Sequence, residues 1–192
     1  MKKEIGLFFG SFNPIHIGHL IIAQQILQAA KLHEVWFVVS PQNPLKQKES
    51  LLAERQRLHL VRLAIDDNPK FRASDVEFGL PKPSYTIDTL RFLQKKFPSR
   101  NFALILGEDN LSTLHLWKDY RELLAQKILV YKRAGAESCE LHTHSNVFLF
   151  DFPVLNISAS YVRKSIENNM DVRYLLHESV WVYIKANALY LK

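Results

Sequence analysis

Two histidines three residues apart, His16 and His19, stand in the stretch Gly10-Ser11-Phe12-Asn13-Pro14-Ile15-His16-Ile17-Gly18-His19, between an apolar run and an amphipathic one. At such a junction imidazole N–H groups can hold an anion, because the first turn of a helix leaves backbone N–H groups unpaired and its dipole favours negative charge. Gly10 admits a close approach of backbone to ligand. The same donors can stabilise charge that develops on a departing pyrophosphate. The pair has two other readings: metal ligands at helical i, i+3 spacing, with no carboxylate or cysteine nearby to complete a set, or buried histidines that merely cap a helix. Two glycines after a core strand favour phosphate.

A second constellation, Ile157-Ser158-Ala159-Ser160-Tyr161-Val162-Arg163-Lys164, reads as another helix start, with Ser158 as cap and Val162 and Ile166 turned inward. Alone it describes a capped surface helix. Beside the first motif, the Ser160 hydroxyl and the Arg163 guanidinium could clamp the far phosphates of a single triphosphate.

The elements that must position these residues follow from hydrophobic periodicity. Ile5 to Phe9 reads as a core strand, and from Gly18 to about Leu32 the spacing of Leu20, Ile21, Ala23, Ile26, Leu27 and Ala30 predicts the inner face of a helix. A strand at Val35 to Val39, a helix from about Leu52 to Ile65, a short strand at Phe71 to Ala73 and a helix from Thr86 to Lys96 come next. Strands at Phe102 to Leu106, Ile128 to Tyr131 and Val147 to Phe150 complete the pattern. Such alternation predicts an α/β fold, a Rossmann-like doubly wound and mostly parallel sheet with helices on both faces. Ligands in such sheets bind beyond the carboxyl ends of the strands, so the loops beginning at Gly10, Ser40, Gly107 and Lys132 should converge. The polar segment from Ala134 to Asn146 is expected to be a surface loop.

The bulk properties narrow the classes further. At 192 residues the expectation is one domain spanning 1–192. The net charge of +6 is scattered, with no basic block or tail, which favours small anionic ligands or plain solubility over nucleic acid. The single cysteine, Cys139, rules out an intramolecular disulfide, and no run of about 18 apolar residues is present to span a membrane. A cytoplasmic location is expected.

The chain resembles the nucleotidyltransferase superfamily with the His-x-Gly-His signature, and within it the bacterial nicotinate-nucleotide adenylyltransferases. The resemblance covers nearly the whole length. Besides His16-Ile17-Gly18-His19 it is carried by Asn43-Pro44-Leu45-Lys46, by Pro83-Ser84-Tyr85-Thr86-Ile87-Asp88-Thr89-Leu90 and by Leu106-Gly107-Glu108-Asp109. Trp117-Lys118-Asp119-Tyr120, Lys132-Arg133, and Ile157-Ser158-Ala159-Ser160 with Arg163 extend it. Class I aminoacyl-tRNA synthetases share the His-x-Gly-His element but are much longer and need a Lys-Met-Ser-Lys-Ser type loop, absent here. Phosphopantetheine adenylyltransferases are shorter and lack the Pro-Ser-Tyr-Thr and Trp segments.

The resemblance implies transfer of AMP from ATP to nicotinate mononucleotide, giving deamido-NAD and pyrophosphate. It implies ATP held by Gly10, Ser11, Phe12, Gly18, Gly107, Asp109, Ile157, Ser158 and Ser160, with His16, His19, Arg163 and Lys46 acting on the reacting phosphates. Nicotinate mononucleotide would meet Asn43, Ser84, Tyr85, Thr86 and Trp117, the indole offering a flat apolar face to the pyridine ring. Magnesium is expected to arrive with ATP rather than in a protein metal site. The expected partners are these two small molecules, not nucleic acid or membrane, with the protein a monomer or homo-oligomer. Where the family commonly has Gly-Gly-Thr-Phe-Asp-Pro, this chain has Phe9-Gly10-Ser11-Phe12-Asn13-Pro14, and the usual proline after Lys-Arg is Ala134. Two alternatives stand beside this reading: a related transferase with another phosphate acceptor, and a non-catalytic adenine-nucleotide sensor or basic RNA-binding module.

Overall fold

Six parallel strands order themselves β3-β2-β1-β4-β5-β6 in the computed structural model, which describes residues 2–41, 51–132 and 139–191. The strands are β1 (Lys3–Gly10), β2 (Glu34–Val39), β3 (Phe71–Ser74), β4 (Arg100–Gly107), β5 (Lys127–Tyr131) and β6 (Val147–Phe150). Every pairing is parallel, so each carboxyl end lies at the same edge of the sheet. The chain runs outward from β1 to β3 and then returns to pair β4 with β1, which puts the reversal of strand order between those two strands.

Period-two alternation along the strands feeds two cores. Ile5, Leu7, Trp36, Val38, Leu104, Leu106, Ile128 and Val130 enter one cluster, and Phe8, Val35, Phe37, Val39, Ala103, Ile105, Leu129 and Tyr131 enter the other. The latter is closed by α1 (Ile17–Ala29), α2 (Glu54–Ile65), α6 (Ala159–Glu167) and α7 (Glu178–Ala186), and the former by α3 (Thr86–Lys96), α4 (Glu108–Ser112) and α5 (Tyr120–Leu124). The doubly wound sheet with helices on both faces is therefore present, and parallel throughout. No helix among the described residues is long and apolar enough to cross a membrane.

Two expectations need correction. On α1 the deepest stripe is Ile22, Ala23, Ile26 and Leu27, paired at i and i+4, and Ile21 sits one position outside it, half-buried. The expected surface loop from Ala134 to Asn146 is in part a built element. Its residues 134–138 lie outside the described residues, but Glu140–Thr143 form a 3₁₀ turn whose Leu141 packs on a core cluster together with the preceding Cys139. The Asn146 carbonyl accepts the N–H of Ile128 at 2.8 Å, which ties that turn to β5.

Candidate functional site

At the end of β1 the chain reverses through Phe12, whose φ of 45° lies in the left-handed region. The ring of Phe12 is 2% exposed and meets Phe8, Phe37 and His19 at centroid distances of 5.9, 5.7 and 5.1 Å. A Cβ on Gly10 would lie 2.8 Å from that ring. The glycine therefore makes room for the Phe12 ring, which is buried and turned into the core.

His16 caps α1 from an extended conformation, and its N–H donates to Nδ1 of His19 at 3.2 Å. The two rings stack with centroids 3.7 Å apart. As Nδ1 of His19 accepts, the proton of the neutral ring sits on Nε2, which fixes the tautomer of this histidine. A Cβ on Gly18 would lie 3.0 Å from Nδ1 of His16, so any larger residue there would push on the His16 ring of the stacked pair. His16 is thus buried and capping, as the structural reading has it, while both rings stand at the first turn of a 13-residue helix.

The two constellations meet. Arg163 Nη1 donates to the carbonyl of Asn13 at 2.8 Å, and Nη2 to Oγ of Ser160 at 3.3 Å, joining α6 to the loop after β1 across 150 residues of chain. Ser158 is the cap its sequence predicts, its hydroxyl accepting the N–H of Tyr161 at 3.1 Å. Ile157, next to it, is half-buried against the core. A planar guanidinium held at two of its nitrogens is pre-organised for an oxyanion.

Behind this loop lies a residue that sequence reasoning missed. Arg57 on α2 is completely buried and donates to four backbone carbonyls: Nε to Leu52 at 2.9 Å, Nη1 to Ser11 at 2.5 Å and Ser40 at 2.8 Å, Nη2 to Pro41 at 3.0 Å. Burial pulls its pKa below the ordinary arginine value, opposed by Tyr190 and Glu54. One side chain thereby fixes the loops after β1 and β2 together. A signal existed: Arg57, Val61, Ala64 and Ile65 share the inward face of α2, so an arginine stands in an apolar stripe.

On the other flank, α3 begins at Thr86 with Tyr85 as N-cap, and Tyr85 brings no side-chain bond to the first-turn amides. Lys118 Nζ lies 2.8 Å from Asp88 and 5.0 Å from the Tyr85 ring centroid, while Arg91 pairs with Asp119 at 2.9 Å and with Glu122. These ties bring the Ser84 to Thr86 segment and the half-buried Trp117 to one flank of the sheet. Ser84 itself is 9% exposed, its hydroxyl donating to Glu77 at 2.8 Å.

Glu77 is the second unforeseen residue. It is 2% exposed and accepts the hydroxyls of Ser84 and Thr89, each at 2.8 Å, with Ser40 a further partner. Burial pushes its pKa up, and those hydroxyl bonds oppose the rise. No periodicity marks it, because it sits in a short 3₁₀ turn, Val76–Gly79.

Gly107 ends β4, and a Cβ there would collide with Oδ1 of Asp109 and approach the Tyr131 hydroxyl to 3.1 Å. Asp109 is exposed at the crevice edge, and the neighbouring Glu108 lies 3.2 Å from Nε2 of His142 in the turn after β5. Asn43, Lys46 and Arg133 lie outside the described residues.

A family model described as cytidylyltransferase-like matches residues 7–165. A protein from Flavobacterium psychrophilum described as a probable nicotinate-nucleotide adenylyltransferase is 47% identical over 192 residues, covering 98% of this chain and 100% of the relative. One of the same description from Cytophaga hutchinsonii is 48% identical over 188 residues, covering 97% and 98%. Among solved structures, Plasmodium falciparum nicotinic acid mononucleotide adenylyltransferase complexed with NaAD superposes with a TM-score of 0.82 at 23% identity, covering 98% of this chain and 97% of that one. At that identity the likeness shows the fold.

Proposed function

The chain belongs to the cytidylyltransferase-like family, in its nicotinate-nucleotide adenylyltransferase branch, and we propose that it works with His16, His19 and Arg163 as the groups on the phosphates of ATP. The reaction is attack by the phosphate of nicotinate mononucleotide on the α-phosphate of ATP, releasing pyrophosphate and leaving deamido-NAD. The acceptor phosphate is already a nucleophile, so the protein needs no base. Its work is alignment and charge stabilisation.

The observation that carries this reading is the junction of the two motifs, Arg163 bonded to both Asn13 and Ser160. That bond sets the guanidinium beside the loop that leads into the histidine pair. His19, with its proton on Nε2, can donate to a phosphate oxygen whose charge grows as the pyrophosphate departs. Gly10, Ser11, Phe12 and Gly18 supply the backbone of that loop and of the first turn of α1; Gly107 and Asp109 face the adenosine, and Ile157, Ser158 and Ser160 the far phosphates. Lys46 would add positive charge at the phosphates. On the acceptor side, Trp117 stacks on the pyridine, Tyr85 and Thr86 present the open first turn of α3 to its carboxylate, and Ser84 holds that turn through Glu77; Asn43 is assigned to the acceptor on the sequence motif alone.

Among the described residues no three His, Cys, Asp or Glu side chains gather into a cation site. We take magnesium as a companion of the triphosphate, where it would neutralise phosphate charge. The test is pyrophosphate release from ATP and magnesium with nicotinate mononucleotide and nicotinamide mononucleotide run side by side. Strong preference for the acid is expected. Preference for the amide overturns the acceptor pocket, and no release with either overturns the proposed use of these residues.

A further inference from the structure

Tyr190 is 177 residues from Asn13 in sequence, yet its hydroxyl donates to Oδ1 of Asn13 at 2.9 Å. The same oxygen accepts the N–H of Leu52 at 3.3 Å, and the carbonyl of Asn13 accepts Arg163. One residue of the loop after β1, itself 3% exposed, thus gathers the tail after α7, the approach to α2, and α6.

The tail reaches Asn13 by an unfavourable route. Ala188 and Tyr190 have φ of 49° and 65°, a region that residues other than glycine enter rarely. Such conformations persist where the surroundings over-determine them, and they collect at functional sites. Burial also pushes the Tyr190 pKa above the ordinary tyrosine range, with Arg163 and Arg57 opposing, so the phenol stays protonated and donating at any working pH. The chemistry of adenylyl transfer has no other use for a tyrosine here. Its position behind the loop, bonded to the residue that Arg163 also grips, gives it one.

We propose that Tyr190 is a positioning residue for the triphosphate: through Asn13 it holds the loop after β1 and Arg163 in a single mutual register, so that donors from both reach the phosphates together. The inference rests on reading that loop as the ATP-phosphate site. It makes the tail after α7 part of the donor half of the crevice; on the acceptor side Glu77 bonds Ser84 and Thr89, and Tyr85 lies under Lys118, so Tyr190 reaches that half only indirectly, through Arg57 and Ser40.

The experiment is calorimetric titration of the full chain with ATP and magnesium, for the wild type, Tyr190→Phe, Asn13→Ala and the double variant, together with steady-state pyrophosphate release. Tyr190→Phe keeps the ring and removes one hydrogen bond, so ATP binding should weaken about 3- to 10-fold. The KM for nicotinate mononucleotide should stay within about twofold, and adding Tyr190→Phe to Asn13→Ala should cost less than about twofold more, as expected for partners in one interaction. Unchanged ATP binding in Tyr190→Phe overturns the inference, as do parallel losses in both substrates, or multiplicative effects of the two substitutions. If the wild type binds ATP but releases no pyrophosphate with nicotinate mononucleotide, the activity reading fails while the titration still decides the role of Tyr190. If it binds no ATP, the inference falls with the loop assignment.

Discussion

Replacing Arg57 with methionine removes a buried cation and leaves four backbone carbonyls, those of Leu52, Ser11, Ser40 and Pro41, without their donor. A hydrogen bond from a charged group contributes about 1.5–3 kcal/mol net, so the four bonds set a generous upper bound. Against this, methionine is relieved of the several kcal/mol that dehydrating a guanidinium costs. The balance should be a loss of roughly 3 kcal/mol, at the lower edge of what breaking a buried charged network costs. For a chain of this size that corresponds to a fall of roughly 6–12 °C in Tm. Arg57→Lys keeps the charge but not the planar fork, and should recover less than half of the loss. Urea unfolding followed by circular dichroism gives the free energies. In the folded variants kcat/KM for ATP should fall as well, because Ser11 loses the tie that holds its carbonyl. Arg57→Met within about 1 kcal/mol of the wild type, or Arg57→Lys indistinguishable from it, would refute the argument that one guanidinium anchors both loops.

His19→Ala should lower kcat by about 10²- to 10⁴-fold, the usual range for a positioned proton donor or charge stabiliser, with the far-ultraviolet spectrum intact; near wild-type turnover removes His19 from the chemistry. Trp117→Ala should raise the KM for nicotinate mononucleotide by about 10-fold or more, the order expected of one aromatic stacking contact, with the KM for ATP barely changed; equal effects on both take the indole out of the pyridine site. Glu77→Gln should keep its hydroxyl partners, because Ser84, Thr89 and Ser40 can each reverse from donor to acceptor. The folded-state pKa of Glu77 is raised, so the native state holds its proton where the unfolded chain has released it. Wild-type stability therefore declines as pH rises from the ordinary glutamate value of about 4.5 through the folded-state pKa, and the advantage of the glutamine should grow over that interval. A gap in Tm that stays constant or shrinks from acid to neutral pH contradicts a buried, destabilised carboxylate.

What was legible in the sequence was local. Core strands such as Val35 to Val39 announce themselves by continuous apolar composition, and the cap at Ser158 by its residue type and the apolar positions that follow. The glycines and histidines of the first motif were legible as a group, although the space freed at Gly10 goes to the Phe12 ring, which no linear pattern reveals. Strand order was not readable, because alternation of strands and helices is compatible with several orders. Arg57, Glu77 and Tyr190 were missed for a common reason, although the apolar stripe around Arg57 was a clue: each is a polar group whose meaning comes from partners distant in sequence. A charged residue in a helix or a turn looks solvated until the fold closes over it.

The two halves of the crevice are fastened by different kinds of bond. Around the loop after β1 the ties are half-buried or buried and run largely to backbone atoms, through Arg57, Arg163 and Asn13. Around α3 and Trp117 many are surface ion pairs, Lys118 with Asp88 and Arg91 with Asp119 and Glu122. Exposed pairs contribute about 0–1 kcal/mol each and are readily exchanged, whereas a buried network tolerates little. Mutational drift is therefore channelled: outside the buried Glu77 cluster, the half proposed to hold the acceptor can be rewritten a residue at a time, while the half proposed to hold ATP resists change. A fold built this way can acquire new acceptors over time without relearning how to handle a triphosphate.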